Sequence, residues 1–158
     1  MAQKDSSFSW SNYVAVTTAI IAVLAAIVSL RAGAAASSLL LEKNNSNYYQ
    51  AKANKVWNNY LANEITDRVL KRPSNQHAQQ ELQQQTEDLE RQADEATSKA
   101  SMYFEKNSHF TTAGTFFEVA IAISAMAVLV KKRTVWIFSL LLALAGLYFL
   151  VLGLLYIR

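Results

Sequence analysis

The sequence predicts an all-α membrane protein, in which three transmembrane helices carry a long antiparallel coiled-coil hairpin between spans one and two. Two observations indicate this fold. Residues 13–41 and 110–157 are almost entirely apolar, whereas residues 42–109 are rich in Asn, Gln and charged side chains. Such a separation is typical of a membrane protein with a polar insert, because a globular domain mixes the two kinds of residue along its chain.

Charge and cysteine content narrow the classes of function. The formal net charge of the 158-residue chain is +3, which is too small to indicate nucleic-acid binding. Residues 31–109 hold ten Lys or Arg and ten Asp or Glu, so the insert is neutral. The chain has no cysteine, which excludes disulfides and thiolate chemistry.

An N-terminal tail, residues 1–12, is expected to precede transmembrane helix 1 at residues 13–36. The alternative is a cleaved secretory signal peptide, because AGAAAS at residues 32–37 resembles a cleavage site. The apolar run is long for a signal peptide, and Lys4 is offset by Asp5. These features favour an uncleaved anchor.

Transmembrane helices 2 and 3 are predicted at residues 110–130 and 134–157, each close to the ~20 residues that cross the hydrocarbon. The turn between them carries three cations, Lys131, Lys132 and Arg133. The positive-inside rule therefore places this turn and the N-terminus in the cytoplasm, and the hairpin on the opposite side. Four cations of the insert oppose this orientation: Arg31, Lys43, Lys99 and Lys106.

A helical hairpin is predicted over residues 37–109, with its turn near residues 72–75. Pro73 disfavours a helical conformation at Arg72, and Ser74 or Asn75 can cap a new helix. After the turn, alternating four- and three-residue steps define a coiled-coil seam: Leu82, Thr86, Leu89, Ala93, Ala96, Ala100, Tyr103, Asn107 and Phe110. Before it, a similar rhythm links Leu39, Glu42, Ser46, Tyr49, Ala53, Val56 and Tyr60. The alternative, a disordered Gln-rich linker, is disfavoured because the periodicity persists through the Gln-rich part.

The spans carry stripes of small residues, which let membrane helices approach closely. On span one they are Ala15, Ala19, Ala22, Ala26, Ser29, Gly33 and Ala36; on span two Ala113, Ala120, Ser124 and Ala127; on span three Ser139, Ala143, Gly146 and Gly153. We expect them to pack the three spans against one another. A homo-oligomeric seam is a possible additional role.

Two stretches of the chain stand out as motifs: YQAKANK at residues 49–55 and FFEVAIAISAMAVLVKKRTVWIFSLLLALAG at residues 116–146. Together they resemble a bacterial family catalogued as domain of unknown function four-three-three-seven. The resemblance implies a small three-span protein of the bacterial inner (cytoplasmic) membrane and supplies no established activity. This chain departs from the family pattern at Ser46, in place of a tryptophan, and at Asn44, in place of a common aspartate.

Enzyme activity, a cofactor and a metal site are not expected, because no phosphate loop, His/Cys cluster or nucleophile elbow occurs. An interaction or packing surface is predicted on the first insert helix, from the aromatic residues Tyr49, Trp57 and Tyr60 with Lys52 beside them. Packing between helices or subunits explains such a cluster more simply than a ligand platform does.

Glu118 lies inside the second apolar run, where an isolated charge is costly. A chain reversal at Pro73–Ser74 would set residue i level with residue 147 − i, which brings Arg31 close to Glu118. The leading hypothesis is an intramembrane ion pair between Arg31 and Glu118. The alternatives are a protonated Glu118 bonded to Ser29 or a nearby Thr, and a proton or ion pathway.

Together these patterns predict a non-enzymatic integral membrane protein that acts as a structural or interaction scaffold through its coiled-coil hairpin. Its expected partners are the lipid bilayer, further copies of itself in a homo-oligomer, and a protein on the hairpin; nucleic acid is not expected. The alternative is a homo-oligomeric channel or transport accessory in which Glu118 lines a polar path.

Overall fold

The computed structural model describes residues 10–70 and 76–155, which are helical except at Leu70, Lys131 and Lys132. Three helices occur in these ranges: α1 (Trp10–Val69), α2 (Gln76–Val130) and α3 (Arg133–Leu155). Each helix is long and apolar enough to cross a membrane, as judged by length and composition. The all-α, three-helix prediction is therefore confirmed at this level.

Helix α1 continues without interruption from the apolar run into the polar insert. Gly33 does not break it, and a Cβ built at that position would meet nothing within 4 Å. The Leu70 N–H donates to the Thr66 carbonyl oxygen at 2.9 Å, which closes the last turn of the helix. The predicted turn at residues 72–75, including Pro73, lies outside the described residues.

The connection between α2 and α3 is short, because α2 ends at Val130 and α3 begins at Arg133. Lys131 has a φ of 55°, the left-handed conformation that commonly follows the last residue of a helix. This conformation is costly for a residue with a side chain, and glycine usually occupies it. Tight reversal of the chain is therefore achieved here at a lysine.

The chain divides into two compact units. The first, called the apolar unit, comprises Met1–Ala36 and Phe104–Arg158; the second, called the polar unit, comprises Ser37–Tyr103. Each helix that enters the polar unit does so without leaving its helical conformation. The two units are described separately below.

The core of the apolar unit is formed by aromatic rings that lie against glycines. Phe110 and Phe117 are fully buried on α2. A Cβ added at Gly146 would lie 3.0 Å from the Phe117 ring, and one at Gly153 would lie 2.9 Å from the Phe110 ring. The small residues that the sequence predicted for packing on α2 and α3 are buried or half-buried: Ala113, Ala120, Ser124, Ala127, Ser139, Ala143, Gly146 and Gly153.

On α1 the small residues are not part of the core, contrary to the expectation. The inward positions recur every seven residues and carry Val14, Ile21, Val28 and Ala35. The small residues Ala15, Ala19, Ala22, Ala26, Ser29 and Gly33 are exposed, and Ala36 is half-buried. Branched side chains fill the inward positions of α1 because the facing surfaces of α2 and α3 supply the small residues.

The polar unit buries a narrow seam between α1 and α2. All seam positions predicted there are buried or half-buried, on both helices. Ala93, Ala96 and Ala100 on α2 are at most 6% exposed, as is Ser46 on α1. The Ser46 and Thr97 hydroxyl groups are hydrogen-bonded across the seam at 2.8 Å.

Candidate functional sites

Contacts within the apolar unit define which residues of α1 and α2 lie level with each other. The Thr18 hydroxyl bonds the Ser124 hydroxyl, and Val28 contacts Gly114. Both pairs fit a register in which residue i lies level with residue 142 − i, five residues away from the predicted register of 147 − i. Arg31 is therefore level with Thr111, and Glu118 with Leu24.

The predicted ion pair between Arg31 and Glu118 is absent from the described residues. Three ion pairs occur there, all between neighbours on one helix: Arg68–Glu64, Arg91–Asp88 and Arg91–Glu95. Arg31 and Glu118 are both exposed. Their levels differ by seven residues, or about 10 Å of helix, which separates the two charged groups.

Glu118 lies close to the middle of the apolar unit. Contacts of Gly146 with Phe117 and of Gly153 with Phe110 set residue i of α2 level with about residue 263 − i of α3. Glu118 is therefore level with Ala145, near the centre of α3, which begins at Arg133 and ends at Leu155. If α3 crosses a bilayer, the Glu118 carboxyl group is close to the bilayer midplane.

The flank of α2 that carries Glu118 adjoins α1. Gly114, one turn earlier, contacts Val28 of α1, whereas Phe116 stacks on Phe149 of α3 at 5.6 Å between ring centroids. Residues four apart share a helix face, so Glu118 lies on the side of Gly114. It lies away from α3.

The small residues of α1 border the same flank. Thr18 faces α2 through its bond to Ser124, and Ala22 follows it by one turn. Small or hydroxyl-bearing side chains are exposed on this flank of both helices: Ala22, Ala26 and Ser29 on α1, and Thr115 and Ala122 on α2. We call this surface the Glu118 face.

Hydrogen-bonding capacity on the Glu118 face is only partly used. The Thr115 hydroxyl donates to the Thr111 carbonyl oxygen at 3.1 Å. Within the described part of the chain, neither the Glu118 carboxyl group nor the Ser29 hydroxyl has a hydrogen-bond partner. The alternative in which Ser29 bonds Glu118 of the same chain is therefore not seen.

The predicted aromatic surface of the polar unit is divided between two sides of α1. Tyr49 and Tyr60 are half-buried along the seam, and the Tyr60 hydroxyl accepts a hydrogen bond from Gln83 at 3.4 Å. Lys52 and Trp57 are exposed. Trp57 stacks on Tyr60 with 5.1 Å between ring centroids, so the two sides of the helix are in contact here.

Sequence reasoning missed an apolar stripe that begins at Trp57. Trp57, Leu61 and Ile65 are 42%, 36% and 61% exposed. Their four-residue spacing places them on one side of α1, outside the seam positions. The i, i+4, i+8 spacing of three large apolar residues could have indicated this surface, which we call the Trp57 stripe.

A groove of the polar unit adjoins the Trp57 stripe and is acidic on one side. Its lining residues are Ala53, Asn54, Trp57, Gln83, Thr86, Glu87 and Glu90. Glu87 and Glu90 are exposed on α2. The groove therefore combines an aromatic wall with carboxylates.

Beyond this groove, one ion pair of α2 shifts the pKa of its members. The hydrogen bond and charge of Arg91 lower the pKa of Asp88, and the same contacts raise the pKa of Arg91. Both groups are exposed, so solvent screens the interaction and its effect on stability is small.

The cationic turn between α2 and α3 is exposed at Lys131, Lys132 and Arg133. Arg133 also lines a small pocket with Trp10, Tyr13, Trp136 and Ile137. The Trp136 indole N–H donates to the Thr17 hydroxyl at 3.1 Å, which ties α3 to α1. Tryptophan and arginine together are typical of a membrane–water interface.

No group of three His, Cys, Asp or Glu suited to a metal ion occurs among residues 10–70 and 76–155. Comparison with curated proteins gave no match, and neither did comparison with solved structures. A family model described as a domain of unknown function, DUF4337, matches residues 10–156. This match covers nearly the whole chain and agrees with the resemblance of its two motifs, so the chain belongs to the DUF4337 family.

Proposed function

We propose that this protein is a non-enzymatic integral membrane scaffold of the bacterial cytoplasmic membrane. The three apolar helices cross the bilayer, with the N-terminus and the Lys131–Arg133 turn in the cytoplasm. The polar unit forms an antiparallel coiled-coil hairpin on the opposite side. This hairpin presents a surface for self-association and for docking of a protein partner.

The exposed Trp57 stripe is the observation that supports this proposal. Large apolar side chains on a solvated helix are usually turned into the seam, where they leave water. Here the seam holds Ala53, Ala93 and Ala96, while Trp57 and Ile65 remain outside. An exposed apolar surface of this kind marks an interaction site.

A second hairpin is a suitable occupant of the Trp57 stripe. Leu61 and Ile65 are helical residues one turn apart, so a second copy of α1 can pack its own stripe against them. Packing of two such stripes would remove three large side chains per chain from water. Each fully buried side chain contributes about 1.5–3 kcal/mol, from which the entropy cost of association is subtracted.

The proposal is tested by measuring the mass of the protein in nanodiscs after the double change Trp57→Ala and Ile65→Ala. We expect a shift from an oligomer towards the monomer, because the stripe loses most of its apolar area. Met102→Ala is the matched control, since Met102 is 57% exposed on α2 of the same unit. An unchanged mass distribution in the double variant would contradict the proposal.

A homo-oligomeric channel or transport accessory is a second candidate, and the position of Glu118 favours it. An exposed carboxyl group near the centre of the spans is typical of a group that lines an ion or proton path. Conductance of liposomes that contain the protein tests this function. A channel requires a conductance that falls on Glu118→Gln, whereas a scaffold shows none in either form.

A further inference from the structure

We infer that the Glu118 face is a membrane interface with a second copy of this chain, in which Glu118 accepts a hydrogen bond from Ser29 of the second copy. The inference rests on the membrane insertion proposed above. It does not require self-association through the hairpin. The two interfaces use different residues and can be tested separately.

A single chain leaves the Glu118 carboxyl group in an unfavourable environment. Glu118 is exposed and lies at the level of the centre of α3, so lipid chains would surround it in a monomer. A charged acidic side chain is strongly disfavoured there, and a protonated one still lacks a hydrogen-bond partner. No described residue of the same chain supplies that partner.

A second copy supplies a hydrogen-bond donor at the required depth. Copies inserted in the same orientation have equal residues at equal depth, and Ser29 is level with Ala113, about 8 Å beyond the level of Glu118. Helical side chains lean towards the N-terminus of their helix, and α1 and α2 run in opposite directions. Glu118 and Ser29 therefore lean towards each other, which reduces the difference in height.

The rest of the Glu118 face permits two copies to approach closely. Ala22 and Ala26 carry no atoms beyond Cβ, so the backbone of a second helix can pack against them. The outer side of α3 differs, because its exposed residues are large: Ile137, Phe138, Leu141, Leu144, Tyr148 and Val151. Large apolar residues suit contact with lipid, whereas the Glu118 face combines small side chains with an unsatisfied acid.

Cysteine cross-linking can test this arrangement, because the native chain has no cysteine. Single variants Ala22→Cys, Ala26→Cys and Ser29→Cys are oxidised in membranes, and the fraction of disulfide-linked dimer is measured. Leu144→Cys is the matched control, since Leu144 is 61% exposed at nearly the depth of Glu118 but lies on α3. We expect a dimer of twice the chain mass from at least one α1 variant and none from Leu144→Cys. Equal cross-linking of all four variants, or a product with another protein, would overturn the inference.

The role of the carboxyl group is tested in the Ala22→Cys or Ala26→Cys background, whichever cross-links more efficiently, because both keep the Ser29 hydroxyl. Glu118→Leu removes the hydrogen-bond acceptor and makes the monomer more favourable in lipid. We therefore expect the dimer fraction to fall about tenfold, which corresponds to the loss of one or two interhelical hydrogen bonds. Glu118→Gln keeps a carbonyl acceptor and should retain most of the dimer. Val119→Leu is the control for a changed neighbour on α2, as Val119 is 43% exposed. Unchanged cross-linking in the Glu118→Leu variant would contradict the inference. Failure of the hairpin proposal is a separate outcome, because it would appear only as an unchanged mass of the variant with Trp57→Ala and Ile65→Ala.

Discussion

Both units of the molecule pack small residues between helices, but they use them in different ways. In the apolar unit, Gly146 and Gly153 form recesses that the rings of Phe117 and Phe110 fill. In the polar unit, the buried positions of α2 are Thr86, Leu89 and a series of alanines, and α1 contributes Ala53 and Ser46. One unit therefore pairs large with small residues, and the other mostly pairs small with small.

On the membrane insertion proposed above, the helices of the two units lie in different media, and this accounts for the difference. Between lipid-embedded helices there is no hydrophobic drive, so close contact and hydrogen bonding must hold the spans together. In water, even alanine burial is favourable, but its small apolar area contributes little, at about 25 cal/mol per Å². We therefore expect the apolar unit to be sensitive to shape and the polar unit to depend on its few larger side chains.

The largest effect is expected from Gly146→Leu, which places a branched side chain in the recess for Phe117. A Cβ there already lies 3.0 Å from that ring and 3.2 Å from the Ala113 carbonyl oxygen, so α3 must move away from α2. We expect the free energy of unfolding in mixed micelles to fall by about 3 kcal/mol, the upper range for overpacking a core.

The control for this substitution is Gly33→Leu, which adds the same side chain where a Cβ would meet nothing within 4 Å. It should leave stability unchanged or raise it by up to about 1 kcal/mol, because leucine favours a helix more than glycine does. Equal destabilisation by both changes would show that shape at the recess does not control the apolar unit.

An intermediate effect is expected from Leu89→Ala in the polar unit. Leu89 is 5% exposed and is the only fully buried large side chain among the described seam residues of that unit. Its loss should destabilise the unit by about 2 kcal/mol, the lower range for a buried leucine, since a two-helix seam can partly close.

Hydrogen exchange of backbone amides checks this expectation for each unit separately. Amides of residues 76–103 should exchange faster in the Leu89→Ala variant, while those of the apolar core keep their protection. Leu41→Ala serves as the comparison, because Leu41 is 60% exposed on α1 and lies outside both the seam and the Trp57 stripe. Faster exchange of the apolar core as well would mean that the two units unfold together.

The smallest effects should come from two hydroxyl pairs of similar chemistry. Ser46 bonds Thr97 in the polar unit, and Thr18 bonds Ser124 in the apolar unit. A double-mutant cycle with Ser46→Ala and Thr97→Val should give a coupling of about 1 kcal/mol, as for an ordinary buried hydrogen bond. The cycle with Thr18→Val and Ser124→Ala should give about 0.6 kcal/mol, the average between membrane helices.

These cycles decide whether lipid strengthens such a bond. In a membrane, polar groups of the unfolded chain also find hydrogen-bond partners, which keeps the expected coupling energy small. A coupling energy in the apolar unit well above that in the polar unit would contradict this expectation. Val16→Ala provides the control, as Val16 is 51% exposed and its change adds no hydroxyl group, so both couplings should stay unaltered.

Sequence reasoning located the helices and the seam, because both follow from periodicity. The predicted seam positions of α2, which run from Leu82 to Phe110, are all at least half-buried, as their spacing predicted. Periodicity defines the inward side of a helix but not the residue that lies opposite. The register depends on individual contacts such as Thr18 with Ser124 and Phe117 with Gly146, and the assumed turn at Pro73–Ser74 gave a register that was wrong by five residues.

The wrong register led directly to the predicted pair of Arg31 and Glu118. The small residues of α1 were misassigned for a different reason. A small residue can lie in a core or on a surface where another molecule approaches, and composition does not distinguish these positions. Val14, Ile21 and Val28 also form a seven-residue repeat, and that repeat identifies the inward side of α1.

The connection at Lys131 has a consequence for how the protein is made. Only Lys131 and Lys132 separate α2 from α3, so neither helix can enter a bilayer while the other remains in water at the far side. On the topology proposed above, we expect the two helices to leave the translocation machinery together as one unit, with three cations left behind on the side of synthesis. Insertion of a long neutral spacer after Lys132 would release this coupling, and accessibility of residues at the end of α3 would then report whether the last helix can reverse its direction on its own.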